Sequence, residues 1–121
     1  MEGTNTDVHA FAKALMDFGL KRNVAKVVAY LRDGKEATSR DLEIGADLRQ
    51  PEVSITMREL VELDWVDVRQ DKKPGKGRPY KLYRLKKPIE DIIDELEQKK
   101  LRENREILES IHRLKELLKK G

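Results

Sequence analysis

Few residues of this 121-residue chain could do covalent chemistry. It has no cysteine, which excludes disulfides, thiolate nucleophiles and cysteine-ligated zinc. Its two histidines, His9 and His112, stand far apart, whereas a metal site needs several ligands at fixed spacing. Glu90, Asp91, Asp94 and Glu95 cluster, but on a helix they form a solvated face rather than a ligand set. The run Lys73-Pro74-Gly75-Lys76-Gly77-Arg78 lacks the G-x-x-x-x-G-K-[ST] spacing that cradles a nucleotide phosphate. No nucleophile–base pair is evident, so no enzyme, metal or cofactor is expected. What remains is charge. Residues 69–87 hold nine basic residues against one acid, Asp71, while residues 1–68 carry a net −4 and residues 88–121 a net −1. A local positive stripe is the electrostatic footprint of phosphate binding. The plainer alternative is a solvated loop.

The elements that must position this stripe follow from periodicity. Met1 to Thr6 are small and polar and are expected to be unstructured. Thr6 or Asp7 can cap a helix with Val8, Phe11, Ala12, Leu15 and Met16 on one face, ended by Gly19. Asn23 can cap a second helix bearing Val24, Val27, Val28 and Leu31, with Gly34 at its C′ position. Thr38 or Ser39 caps a short third helix that buries Leu42 and Ala46. Asp47 makes the tight turn and Leu48 points back to the core. Pro51 suits the first turn of a fourth helix, since it needs no amide partner there. That helix is expected over 51–63 with Val53, Met57 and Leu60 inward, and Trp65 and Val66 close the unit.

From Trp65 the period changes to two. Val66 and Val68 alternate with Asp67 and Arg69, and after Asp71 to Pro79 the set Lys81, Tyr83 and Leu85 alternates with Leu82 and Arg84. Two such runs around Pro74-Gly75 and Gly77 read as a β-hairpin with a long tip. Trp65, Tyr80 and Tyr83 are packing residues. Pro88 then opens a long last helix. Ile89, Ile92/Ile93, Leu96, Lys100/Leu101, Asn104, Ile107/Leu108, Ile111, Leu114/Lys115 and Leu118 form one stripe, in about eight turns and roughly 45–50 Å long. The preceding domain is too small to cover it, and a second copy of the chain is the simplest partner. Asn104 interrupts the seam and could fix its register by meeting a polar group of the partner.

The expected fold is thus mainly α (α+β): a winged helix-turn-helix domain over 1–87, with a β-hairpin wing, and a coiled-coil-like dimerisation helix over 88–121. Here the sequence resembles a known group. The stretch TSRDLEIGADLRQPEVSITMRELVELDWV (38–66) is similar to the helix-turn-helix of MarR-, ArsR- and TrmB-type winged-helix regulators, especially archaeal ones. Lys76-Gly77-Arg78-Pro79 before Tyr83-Arg84-Leu85 looks like the wing tip and return strand of that group. The resemblance covers about residues 20–87 and implies a DNA-binding transcriptional regulator. Two residues depart from the pattern. Asp47 stands where glycine is usual, and aspartate tolerates the left-handed conformation better than most residues. Ile55 stands where a basic or polar contact residue is common, and would either touch a thymine methyl or pack sideways.

Roles follow from helix geometry. Gln50, Ser54, Ile55 and Arg58 form the expected base-reading face, with arginine suited to guanine and glutamine to adenine. Arg58 could alternatively pair with Glu62. Ser39, Arg40 and Arg49 are phosphate candidates, and Lys72, Lys73, Lys76 and Arg78 are phosphate or minor-groove candidates at the wing tip. Ser39 is first of all a cap. Ile89, Ile93, Leu96, Asn104, Leu108, Ile111 and Leu118 are the expected dimer interface. The expected partners are double-stranded DNA and a second copy. No apolar run is long enough to cross a membrane, so a cytoplasmic location is the expectation. The competing readings are a sequence-tolerant architectural DNA binder and a winged-helix protein-interaction module.

Overall fold

The computed structural model describes residues 4–71 and 80–121, with side chains from Asp7 onward in the first helix. The elements run α1 (Thr4–Asp17), α2 (Arg22–Leu31), α3 (Ser39–Gly45), α4 (Gln50–Glu62), β1 (Val66–Asp71), β2 (Tyr80–Leu85) and α5 (Ile89–Lys120). This is a mainly helical winged helix-turn-helix fold with one antiparallel hairpin and a long C-terminal helix. The chain divides into two compact units, Met1–Ile89 and Glu90–Gly121.

The first unit is built around α2. Ala25, Val27, Val28, Ala29 and Leu31 are each fully buried, and α1 contributes Ala12 and Leu15 to the same core. Burying a Val or Leu side chain contributes about 1.5–3 kcal/mol. That gain explains why α2 begins earlier than expected. Its N-cap is Lys21, not Asn23, and it makes no side-chain capping bond. Drawing Val24 and Ala25 into the core outweighs a cap interaction of about 1 kcal/mol. Similarly, α1 starts at Thr4, ahead of the expected Thr6 or Asp7 cap, so the expected unstructured stretch supplies its first turn.

Helix ends follow one recurring geometry. Gly19 (φ 114°) ends α1, with its own amide bonded to Met16 and the Leu20 amide to Leu15. Asp47 (φ 57°) and Asp64 (φ 66°) are the left-handed residues after α3 and α4. The following amides, Leu48 to Glu43 (3.0 Å) and Trp65 to Leu60 (3.1 Å), close the same six-residue turn. Leu48 and Trp65 thereby return to the core. After α2 the turn is looser: Arg32 is the C-cap, so Gly34 (φ 88°), expected at C′, lies one residue beyond that position.

β1 and β2 pair in the register Val66↔Leu85, Asp67↔Arg84, Val68↔Tyr83 and Asp71↔Tyr80. Val66, Tyr83 and Leu85 are buried on one face. Ala37 adds a one-residue bridge, exchanging two 2.8 Å hydrogen bonds with Tyr83. Nothing in the sequence announces it, because one residue carries no period.

The second unit is the body of α5, whose 32 residues span roughly 48 Å at about 1.5 Å each. Ile92 is its buried residue. Ile107, Leu108, Ile111, Leu114 and Leu118 are exposed. No helix among the described residues is long and apolar enough to cross a membrane.

Candidate nucleic-acid interface

The helix-turn-helix is fixed by three local devices. Thr38 caps α3: its hydroxyl accepts the Asp41 amide, and the Asp41 carboxylate accepts the Thr38 amide, both at 3.0 Å. This reciprocal arrangement assigns the cap to Thr38 and not to Ser39. Ser39 is instead the first residue of α3, half-buried, and does not cap it. Gly45, the last residue of α3, lies under Tyr30 of α2. A Cβ there would meet the Tyr30 ring, so a side chain at this position would have to push the ring aside. Asp47 then turns the chain in the left-handed conformation expected of it.

α4 runs over 50–62, one residue ahead of the expected 51–63, with Arg49 as its N-cap. The Arg49 amide donates to the Glu52 carboxylate at 2.8 Å. A negative side chain therefore already occupies the amino end of α4, where the helix dipole favours an anion. Val53, Thr56, Met57 and Leu60 are buried; the sequence reading missed Thr56. Gln50, Ser54, Ile55 and Arg58 lie on the opposite, exposed face. Successive residues turn by about 100°, which aligns Gln50, Ser54 and Arg58 along one edge. The Gln50 amide donates to the Ser54 hydroxyl at 3.4 Å, a long bond that links the first two.

Arg58 makes no ion pair with Glu62 among the described residues. Glu59 reaches sideways to Lys21, at 2.9 Å, and ties α4 to the start of α2. Ile55 does not pack sideways: it is 57% exposed, so the face carries an apolar patch beside its polar edge. Arg40 is exposed and pairs with Glu43 at 3.3 Å, and Arg49 is exposed.

Lys72, Lys73, Lys76 and Arg78 lie outside the described residues. At the base of the wing, part of the positive charge is already matched. The Arg69 guanidinium forks onto Glu36, with bonds of 2.6 and 2.9 Å, and these bonds hold the Glu36 carboxyl below its ordinary pKa. Lys86 bonds Asp64 at 2.5 Å and lowers its pKa in the same way. Neither pair was anticipated, because the partners are more than twenty residues apart and meet only through the fold. No group of three potential metal ligands occurs among the described residues.

In α5, Ile89 and Leu96 are half-buried, while Ile93, Asn104, Leu108, Ile111 and Leu118 are exposed.

No family model matches the chain, and no curated protein does. Solved structures do. One, a possible transcriptional regulator from Methanosarcina mazei Go1, is 18% identical with a TM-score of 0.56, over 91% of this chain and 90% of that one. A second, described as a transcriptional regulator, is 15% identical with a TM-score of 0.54, over 84% of this chain and 66% of its own. These likenesses establish the fold.

Proposed function

We propose that the chain is a double-stranded DNA-binding transcriptional regulator of the MarR/ArsR/TrmB-like kind, active as a homodimer, and a binding protein rather than a catalyst. In this reading α4 enters the major groove and offers Gln50, Ser54, Ile55 and Arg58 to the base edges. Ser39, Arg40 and Arg49 approach backbone phosphates, and Lys72, Lys73, Lys76 and Arg78 bring the wing to phosphates or the minor groove. The observation that carries it is the exposed edge Gln50–Ser54–Arg58 on the second helix of a helix-turn-helix, ahead of a segment with nine basic residues. The names of both structural neighbours agree with it.

Selection of bound sequences from random duplex DNA tests it. A regulator returns a two-fold symmetric site, and Arg58→Ala or Gln50→Ala then costs about 1–3 kcal/mol there and relaxes one position. The fourfold alanine variant of the wing lysines and Arg78 lowers the slope of log affinity against log salt by about one unit per lost contact. The exposed Ile55 favours a second reading, a sequence-tolerant architectural binder. That protein would bind duplexes without enriching any sequence. Absence of duplex binding at micromolar protein would sink both.

A further inference from the structure

The exposed stripe of α5 is joined to a lopsided charge distribution. Residues 89–98 carry five carboxylates (Glu90, Asp91, Asp94, Glu95 and Glu97) and no base. Residues 111–120 carry four bases (Arg113, Lys115, Lys119 and Lys120) and one acid, Glu116. The helix macrodipole favours acids first and bases last, but it acts only over the first and last turns. Here the acidic tract continues to Glu97, about two and a half turns into α5. Something beyond the helix's own dipole is suited to this arrangement.

We infer that α5 pairs with α5 of a second copy in antiparallel orientation, with Ile93 level with Leu118 of the partner subunit. This rests on the homodimer in the proposed function and adds its geometry. In a parallel pair the two acidic tracts would lie side by side at one end, with Glu90 and Glu97 nearest the seam, and the two basic tracts side by side at the other. In the antiparallel pair each acidic tract lies along a basic one. Packed helix axes are roughly 8–10 Å apart, about one screening length at physiological salt, so charges flanking the seam interact appreciably.

The stripe sets the register. Positions 93, 96, 100, 104, 107, 111, 115 and 118 recur with spacings that read the same in both directions, so the face superimposes on its own reverse about a point between 105 and 106. The near-eleven-residue repeat suits helices that run almost straight beside each other. In this register Lys100 lies level with Ile111 of the opposite helix, and the two copies of Lys100 are separated by about 16 Å along the axis. The two Asn104 side chains remain about 4.5 Å apart along the axis, astride the two-fold, where each can find the other as its polar partner. A parallel pair would also join the asparagines, but would set Lys100 against Lys100.

The absence of cysteine makes the test direct. Ile93→Cys and Leu118→Cys are made singly at exposed positions (40% and 80% exposed), so neither disturbs a core. Each full-length chain is treated with a short bismaleimide, alone and after co-expression with the other. The antiparallel pair cross-links Cys-bearing 93 to 118 in the mixed sample at least tenfold more than either chain cross-links to itself. Self-linking of each single variant, at 93–93 and at 118–118, would show a parallel pair and overturn the inference. A dimer by sedimentation that cross-links in none of the samples would also overturn it, while leaving dimerisation intact. A monomer at tens of micromolar would overturn the homodimer itself and this geometry with it.

Discussion

α2 and α5 both carry an apolar stripe at helical spacing, and they differ in what meets it. In α2, Val27, Val28 and Leu31 are completely buried, because α1, α3 and α4 surround them. In α5, Ile107 is 56% exposed and Leu114 64%. Periodicity therefore shows which face of a helix is to be covered, not what covers it. Where the surrounding chain suffices, the stripe is core. Where it does not, apolar side chains remain exposed along the face, as in α5.

The sharpest way to break this comparison is to make one change in both regions. Leu60→Ala, at a fully buried site of α4, is expected to cost about 2–5 kcal/mol, since the cavity adds to the lost transfer energy. Denaturant unfolding measures it, and the loss at that site should persist at every protein concentration. Leu114→Ala should cost less, and its effect should shrink as the protein is diluted to monomer. If Leu114→Ala destabilises equally at all concentrations, α5 is covered by its own chain and the contrast disappears.

Next in size is the proposed α5 seam. Leu108→Lys with Ile111→Lys places two cations on the exposed stripe and should shift the proposed dimer toward monomer by a hundredfold or more in dissociation constant, about 3 kcal/mol. Glu109→Lys, on the opposite face of α5, should leave it nearly unchanged. Sedimentation across a concentration series separates the two. An equal effect of all three changes would mean that net charge, and not the stripe, controls association.

Smaller effects belong to the turns of the first unit. Gly45→Ala drives a methyl group against the Tyr30 ring and displaces it from its place over α3, at an expected cost of about 1–3 kcal/mol by overpacking. Asp47→Gly acts in the opposite sense: it relieves a left-handed conformation that costs other residues about 1–2 kcal/mol, so a gain of some tenths to 1 kcal/mol is expected after the added freedom of the unfolded chain. Melting temperatures check both. A loss of stability in Asp47→Gly would show that the Asp47 side chain supports the turn.

These turns also mark what the sequence makes legible. Gly19 and Asp47 were readable because a left-handed residue at a helix end has a recognisable chemistry, and the inward faces of α2 and α4 were readable from their period. Asp64 repeats the role of Asp47 with the same residue type after α4, and it went unnoticed because the end of that unit was read from Trp65 and Val66 alone. The Thr38 cap could not be separated from Ser39 by type, since either hydroxyl can cap; the backbone geometry decides it. Ala37, Lys21–Glu59 and Glu36–Arg69 were hidden for another reason. They join residues distant in sequence, and only the packed arrangement of helices and hairpin brings them together. On the candidate site, the exposed face of α4 was legible from helix geometry alone, whereas the partial matching of charge at the wing base was not.

The last and smallest effect concerns that matching. Arg69 holds Glu36, and Lys86 holds Asp64, both carboxyls lying below their ordinary pKa in the folded chain. A carboxyl depressed in the folded state contributes stability above its unfolded pKa and loses that contribution as pH falls through the lower folded value. The contribution is therefore present at neutral pH and disappears below the ordinary carboxylate range near 4. Both pairs are solvent-exposed, so the effect should be small and should shrink further in high salt. Glu36→Gln with Asp64→Asn should accordingly melt slightly below the parent at pH 7 in low salt, and together with it at pH 2. The α5 stripe provides the contrast, because an apolar seam keeps its strength in salt while wing-base pairs lose theirs. If the double variant melts with the parent at pH 7 in low salt, these pairs only position the hairpin, and their charges add nothing measurable to its hold on the helices.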